Sequence, residues 1–143
     1  MCNNEHKPNS CNCIAEILTI INILQNNAEK HENILDSCDR GFLGCGPSKC
    51  PCNTRPVTLY LGSTNVPWEM PICKENNAPL VTSNVFRVEK VDNCCATFRV
   101  LAKNHDKEDG IECPYIATNS FFTINLDCVC CIRCLPDVFV ECI

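Results

Sequence analysis

Near the N-terminus, apolar residues recur at helical spacing. Ile14, Ile17, Leu18, Ile21 and Leu24 fall three or four positions apart, and Asn12 stands where an N-cap side chain belongs. The spacing predicts an amphipathic helix over residues 13–31 within a helical unit of residues 13–36. The polar run Gln25 to His31 is its expected exposed end. From residue 56 the period changes from helical to alternating. Pro56 to Leu61, Leu80 to Thr82, Val85 to Val91, Cys94 to Ala102 and Phe121 to Cys131 read as strands, and Val138 to Val140 closes the chain. In the fourth of these, Ala96, Phe98 and Val100 share one face, and Thr97 and Arg99 share the other. In the fifth, Phe122, Ile124, Leu126, Cys128 and Cys130 fall on one face. Lys103 to Gly110 reads as a solvated loop. Several short strands with Gly and Pro punctuation predict a mainly β chain, an antiparallel β-sandwich with one N-terminal amphipathic helix and a cysteine-rich connector. The expected units are a flexible arm at 1–12, the helix at 13–36, the connector at 37–55 and a β domain at 56–143.

Composition changes this picture in one respect. A chain of 143 residues can bury roughly two-thirds of its unfolded surface and needs no staples simply to fold. Yet 16 of its residues are cysteine, a density typical of disulfide scaffolds. The thiols therefore point to a use beyond fold stability. A net charge of −5 argues against a nucleic-acid partner, which needs a basic face. No run of Lys or Arg suggests anionic lipid. The stretch Ile14 to Leu24 is interrupted by Glu16, Thr19 and Asn22, and is too short and polar to span a bilayer. The polar start, Met1 to Lys7, lacks the apolar stretch of a secretory leader, although abundant cysteine implies an oxidising destination.

Three uses of the thiols compete. Zinc is the first. Cys131-Ile132-Arg133-Cys134 has the gap that lets two thiolates reach one ion, but a closed site needs a second pair. Cys50-Pro51-Cys52 and the vicinal Cys94-Cys95 have the wrong spacing. Thiol redox catalysis is the second, and it expects a βαβ setting where this sequence has Leu135-Pro136. Other catalytic signatures are missing. Gly41 to Lys49 superficially resembles a phosphate loop, but Pro47 follows Gly46 and Ser48-Lys49 reverses the required order. His6, His31 and His105 sit in polar surroundings and read as solvated. No nucleophile elbow is present. No cofactor is expected.

Disulfides are the third use. Cys128 and Cys130 point the same way from one strand, so they need different partners, or they pack as small hydrophobes. Cys131 points to the other face. Cys2 and Cys11 lie in a polar arm able to reach a neighbouring molecule. With Cys13 and Cys142 they are the candidates for intermolecular bonds. The candidates for internal bonds or packing are Cys38, Cys45, Cys50, Cys52, Cys94, Cys95, Cys128, Cys130, Cys131 and Cys134.

Several blocks, in order along nearly the whole chain, carry a resemblance. These are Asn53-Thr54-Arg55-Pro56 leading into Leu59-Tyr60, Phe86 to Asp92 followed by Cys95, Arg99-Val100-Leu101, and Leu126-Asp127-Cys128-Val129-Cys130 with Cys134-Leu135. Together with the cysteine-bearing arm and helix, they resemble the CotY/CotZ–ExsY family of spore coat and exosporium proteins. The resemblance implies synthesis in the mother cell and self-assembly, often through hexamers, into two-dimensional lattices at the spore surface. It also implies disulfide cross-linking and no catalytic residues. It accounts for a leaderless, cysteine-rich chain, because lysis of the mother cell exposes its contents to oxidant. The implied partner is the chain itself, with other spore-surface proteins in addition. Cys95, Cys128, Cys130 and Cys134 fall on cysteines of the family pattern. Cys131 stands where a small apolar residue is more usual, and Cys45, Cys50 and Cys52 look like additions.

Overall fold

The structure, a computed structural model, describes residues 12–30, 52–75, 81–105, 114–141 and 143. The arm before Asn12, residues 31–36 of the helical unit, the connector up to Pro51, and residues 106–110 of the predicted solvated loop lie outside the described residues. In chain order the elements are α1 (Cys13–Lys30), β1 (Val57–Leu61), β2 (Met70–Pro71), β3 (Thr82–Ser83), β4 (Val85–Asp92), β5 (Cys95–Lys103), β6 (Tyr115–Asn125), a 3-10 turn (Leu126–Cys128) and β7 (Val129–Cys134). Among the described residues the protein is mainly β with one N-terminal helix, and the strands form two antiparallel sheets. One has five strands in the order β6-β5-β4-β1-β7, and the other consists of β2 and β3.

Helix α1 begins where Asn12 allows it. The Asn12 Oδ1 accepts from the Ala15 backbone N–H at 3.0 Å, and its Nδ2 donates to the Leu126 carbonyl at 3.0 Å. One side chain thus caps the helix and ties it to the sheet. Ile14, Leu18 and Ile21 then lie buried against Val57, Leu59, Phe86, Val88, Phe98, Val100, Leu126 and Val129. Ile17 departs from the predicted inner stripe and stays 40% exposed. Gln25, expected at the solvated end, is fully buried. Its Nε2 donates to the Val88 carbonyl at 2.9 Å, and its Oε1 accepts from the Arg55 N–H at 3.1 Å. A polar side chain with both ends bonded is stable in an interior.

Strands β4 and β5 form the hairpin that the alternation predicted. Phe86 lies opposite Val100, Val88 opposite Phe98 and Val91 opposite Ala96. The reversal uses Asn93 at φ 53°, a conformation that Asn tolerates better than most residues. Strand β1 pairs antiparallel with both β4 and β7, and Gly62, at φ 58°, turns the chain away from its end. The small β2–β3 sheet is tied to the large one by side chains. Ser120 Oγ donates to the Pro71 carbonyl at 2.8 Å, and Ser83 Oγ to the Leu101 carbonyl at 2.6 Å.

The continuous strand predicted from Phe121 to Cys131 does not form. It breaks at the 3-10 turn, where the Leu126 N–H donates to the Cys94 carbonyl at 2.6 Å and Asn125 Oδ1 accepts from the Asp127 N–H at 3.0 Å. This break lets the chain move from one edge of the large sheet to the other. Edge strands β6 and β7 are four strand spacings apart, about 19 Å in a flat sheet. The chain from Asn125 to Val129 reaches at most about 14 Å. The sheet therefore curls until its two edges approach at this end, with α1 in the concavity. The predicted terminal strand at Val138 is reduced to a single bridge with Thr54.

Candidate cross-linking site

The thiols divide into two chemical states. Cys52, Cys94 and Cys130 are disulfide-bonded. Cys13, Cys73, Cys95, Cys128, Cys131 and Cys134 are free and exposed. Cys2, Cys11, Cys38, Cys45, Cys50, Cys113 and Cys142 lie outside the described residues. Five of the six free thiols belong to regular elements. Cys13 opens α1, Cys95 opens β5, Cys128 ends the 3-10 turn, and Cys131 and Cys134 lie on edge strand β7.

The break after Asn125 explains the exposure on β7. Leu126 and Val129 are both buried, so the interior position advances by three residues rather than two. Cys128, which an unbroken strand would carry on the core face, is thereby turned to solvent. Cys130 is the extra residue of a bulge, since Tyr60 pairs with Cys131 and Leu61 with Val129. Such a bulge re-aims side chains at a sheet edge. The vicinal pair separates similarly. Cys94, half-buried against the core, is bonded, and Cys95 is free.

Cys131 and Cys134 lie opposite Tyr60 and Val57. Residues three apart on a strand point to opposite faces, so this pair does not converge as a metal knuckle would require. Among the described residues no group of three or more His, Cys, Asp or Glu side chains is placed to hold a metal ion. Cys73 is a free thiol to which no sequence pattern pointed. It follows β2, a two-residue strand that leaves no alternation to read.

Polar clamps hold the region behind β7. Arg55 makes a two-pronged ion pair with Asp137, Nε to Oδ1 at 2.7 Å and Nη2 to Oδ2 at 2.9 Å. The Asp137 hydrogen bond raises the Arg55 pKa above its ordinary value against an opposing effect of burial, so the guanidinium stays charged. Leu135 N–H donates to the Pro56 carbonyl at 2.8 Å, and Asn53 bonds to both the N–H and the carbonyl of Val140 at 2.9 Å. The chain leaving β7 is thus fixed beside the chain entering β1. Cys134 sits on a clamped support rather than on a free tail.

A curled sheet filled by one helix, with bonded cysteines and others held outward on rigid elements, is the build of a cysteine-rich structural domain. The chain belongs to the spore coat protein Z family, whose model matches residues 1–137. It is a spore coat protein of structural type, as the sequence resemblance implied. No curated protein and no solved structure matches it. No helix among the described residues is long and apolar enough to cross a membrane.

Proposed function

We propose that this chain is a self-assembling protein of the spore surface, in the exosporium basal layer or the outer coat, where copies tile into a two-dimensional protective lattice locked by intermolecular disulfides. The observation that carries the reading is a set of six exposed free thiols, five of them on regular elements, in a spore coat family member. Non-covalent contacts place the copies, in rings of six, and oxidation follows. A disulfide between copies converts a reversible contact into one that only thiol exchange or a reductant undoes. The bonding thiols are Cys2, Cys11, Cys13 and Cys142, and other spore-surface proteins join the lattice through the same chemistry. No catalytic role is proposed.

Electrophoresis of oxidised protein without reductant tests the reading. High-order species that collapse to 16.0 kDa with dithiothreitol are expected, together with ordered sheets in electron micrographs. A chain that runs as a monomer in both conditions overturns it.

A further inference from the structure

Helix α1 carries two apolar seams. The first, Ile14, Leu18 and Ile21, is buried on the sheet. The second runs through Cys13, Ile17, Ile20 and Leu24 at spacings of four, three and four, and Asn27 continues it three residues further on. This seam faces outward. Ile17 is 40% exposed and Ile20 57%, with Ile23 beside them at 53%. Cys13 is a free exposed thiol at one end, and Asn27 is an exposed amide at the other. A helix apolar beyond one stripe is built to be covered on two sides. A stripe repeating every 3.5 residues is the pattern by which helix meets helix, knobs into holes. The described residues contain no second α-helix.

We infer that α1 pairs, parallel and in register, with α1 of a second copy of this chain, and that the two Cys13 residues then form a disulfide across the pair. The inference rests on the self-assembly reading above and names one of its contacts. Three observations select this occupant and this orientation. The seam residues from Cys13 to Asn27 carry no charge, so two identical stripes meet without repulsion across a two-fold axis. Parallel in-register pairing stacks like on like, with thiol on thiol, isoleucine on isoleucine and amide on amide. A reversed helix would set Asn27 and Cys13 against unlike residues. Asn27, at the far end of the seam, meets a second amide in this register alone, and an amide both donates and accepts. Since α1 is already folded on its sheet, pairing carries no helix-forming cost. The seam is short, and repetition through a lattice multiplies a weak contact.

The covalent step balances with a disulfide oxidant. One Cys13 thiolate attacks oxidised glutathione and releases one glutathione thiol. The second Cys13 thiolate then displaces the other glutathione from the mixed disulfide. Two protein thiols become one interchain disulfide, and the two electrons and two protons end on two molecules of reduced glutathione.

The test uses the full chain in a Cys2→Ser, Cys11→Ser background, so that the proteolytic peptide ending at Lys30 holds Cys13 alone. Unlabelled and 15N-labelled protein are mixed under reducing conditions, assembled, oxidised with oxidised glutathione, digested and read by mass spectrometry. Cys13–Cys13 peptides joining one light and one heavy chain are expected, at about half of all such linked peptides. The Ile17→Lys, Ile20→Lys double variant is expected to lower them at least tenfold with the circular dichroism spectrum unchanged. Ile20→Lys alone serves if the double variant does not fold. Cross-linked assemblies without the mixed Cys13 peptide overturn this inference and leave the proposed function standing. A mixed peptide unaffected by lysine on the seam also overturns it. Failure of the wild-type chain to assemble at all removes the proposed function, and this inference with it.

Discussion

On the helix-covered side of the five-stranded sheet, Phe86, Phe98 and Phe122 meet with ring centroids 4.9 to 6.2 Å apart. On the opposite side, one strand position from Phe86, the fully buried Arg87 is held by polar partners. Its Nε donates to Thr54 Oγ1 at 2.9 Å, Nη1 to Glu89 at 2.9 Å, and Nη2 to the Asn53 carbonyl at 3.2 Å. Glu89 reaches on to Arg99 at 3.3 Å, whose guanidinium lies 4.5 Å from the centre of the Phe121 ring. The first side is held by shape and area, which act without direction. The second is held by donors and acceptors that must match one to one. The apolar side should fail in proportion to volume removed, and the polar side according to which partner is orphaned.

Phe98→Ala should have the largest effect, about 4 kcal/mol, because it deletes a ring at the centre of the aromatic cluster. The urea midpoint should fall with an unchanged slope, and a loss under 1 kcal/mol would mean that the helix side is not the dominant core. Arg87→Ala should cost about 3 kcal/mol, since Thr54, Glu89 and the Asn53 carbonyl lose their partner together. Arg87→Met should cost nearly as much, because it keeps the volume and loses the donors, and a methionine variant as stable as the wild type would attribute the loss to packing rather than to hydrogen bonds. Gln25→Leu tests a polar group on the apolar side. It conserves most of the volume but strands the Val88 carbonyl and the Arg55 N–H, so a loss of about 2 kcal/mol is expected, read as a lowered thermal midpoint, and a stabilised variant would refute the role given to those two bonds. Asn12→Ala should cost about 1 kcal/mol. It should be visible as faster amide exchange in the first turn of α1, and unchanged exchange there would remove Asn12 as the cap.

The β4–β5 hairpin was legible because its alternation is strict and its turn short. The helix was legible in position but not in facing. Its apolar residues exceed one stripe, and the pattern alone does not say which seam the sheet takes, so Ile17 reads inward although it lies outward. Gln25 reads as solvated because side-chain polarity is visible in a sequence and the orphan groups that would accept it are not. The break after Asn125 was hidden for the same reason. Phe122, Ile124 and Leu126 alternate as a strand should, and what interrupts them is a bond from Leu126 to Cys94, far away in the chain. Strand β6 begins six residues before the predicted start because a bulge around Thr118 and Ser120, where Ser120 N–H donates to Thr118 Oγ1 at 3.1 Å, erases its period. Of the thiols, the sequence shows number and spacing. Which of them are outward depends on these breaks and bulges, so the split between bonded and free cysteines could not be read from it.

The turn at Leu126–Cys128 acts as a phase shifter. Along an unbroken strand, Leu126, Cys128 and Cys130 would share the interior, and their thiols would be filler. The turn resets the count, so that the triplet repeat Cys128, Cys131 and Cys134 emerges at the surface. Whether Cys128 faces outward is therefore a matter of arithmetic along the chain rather than of residue type. Among related chains, insertion or deletion of one residue at this point, more than any substitution, would turn the thiol at the Cys128 position from solvent toward the core.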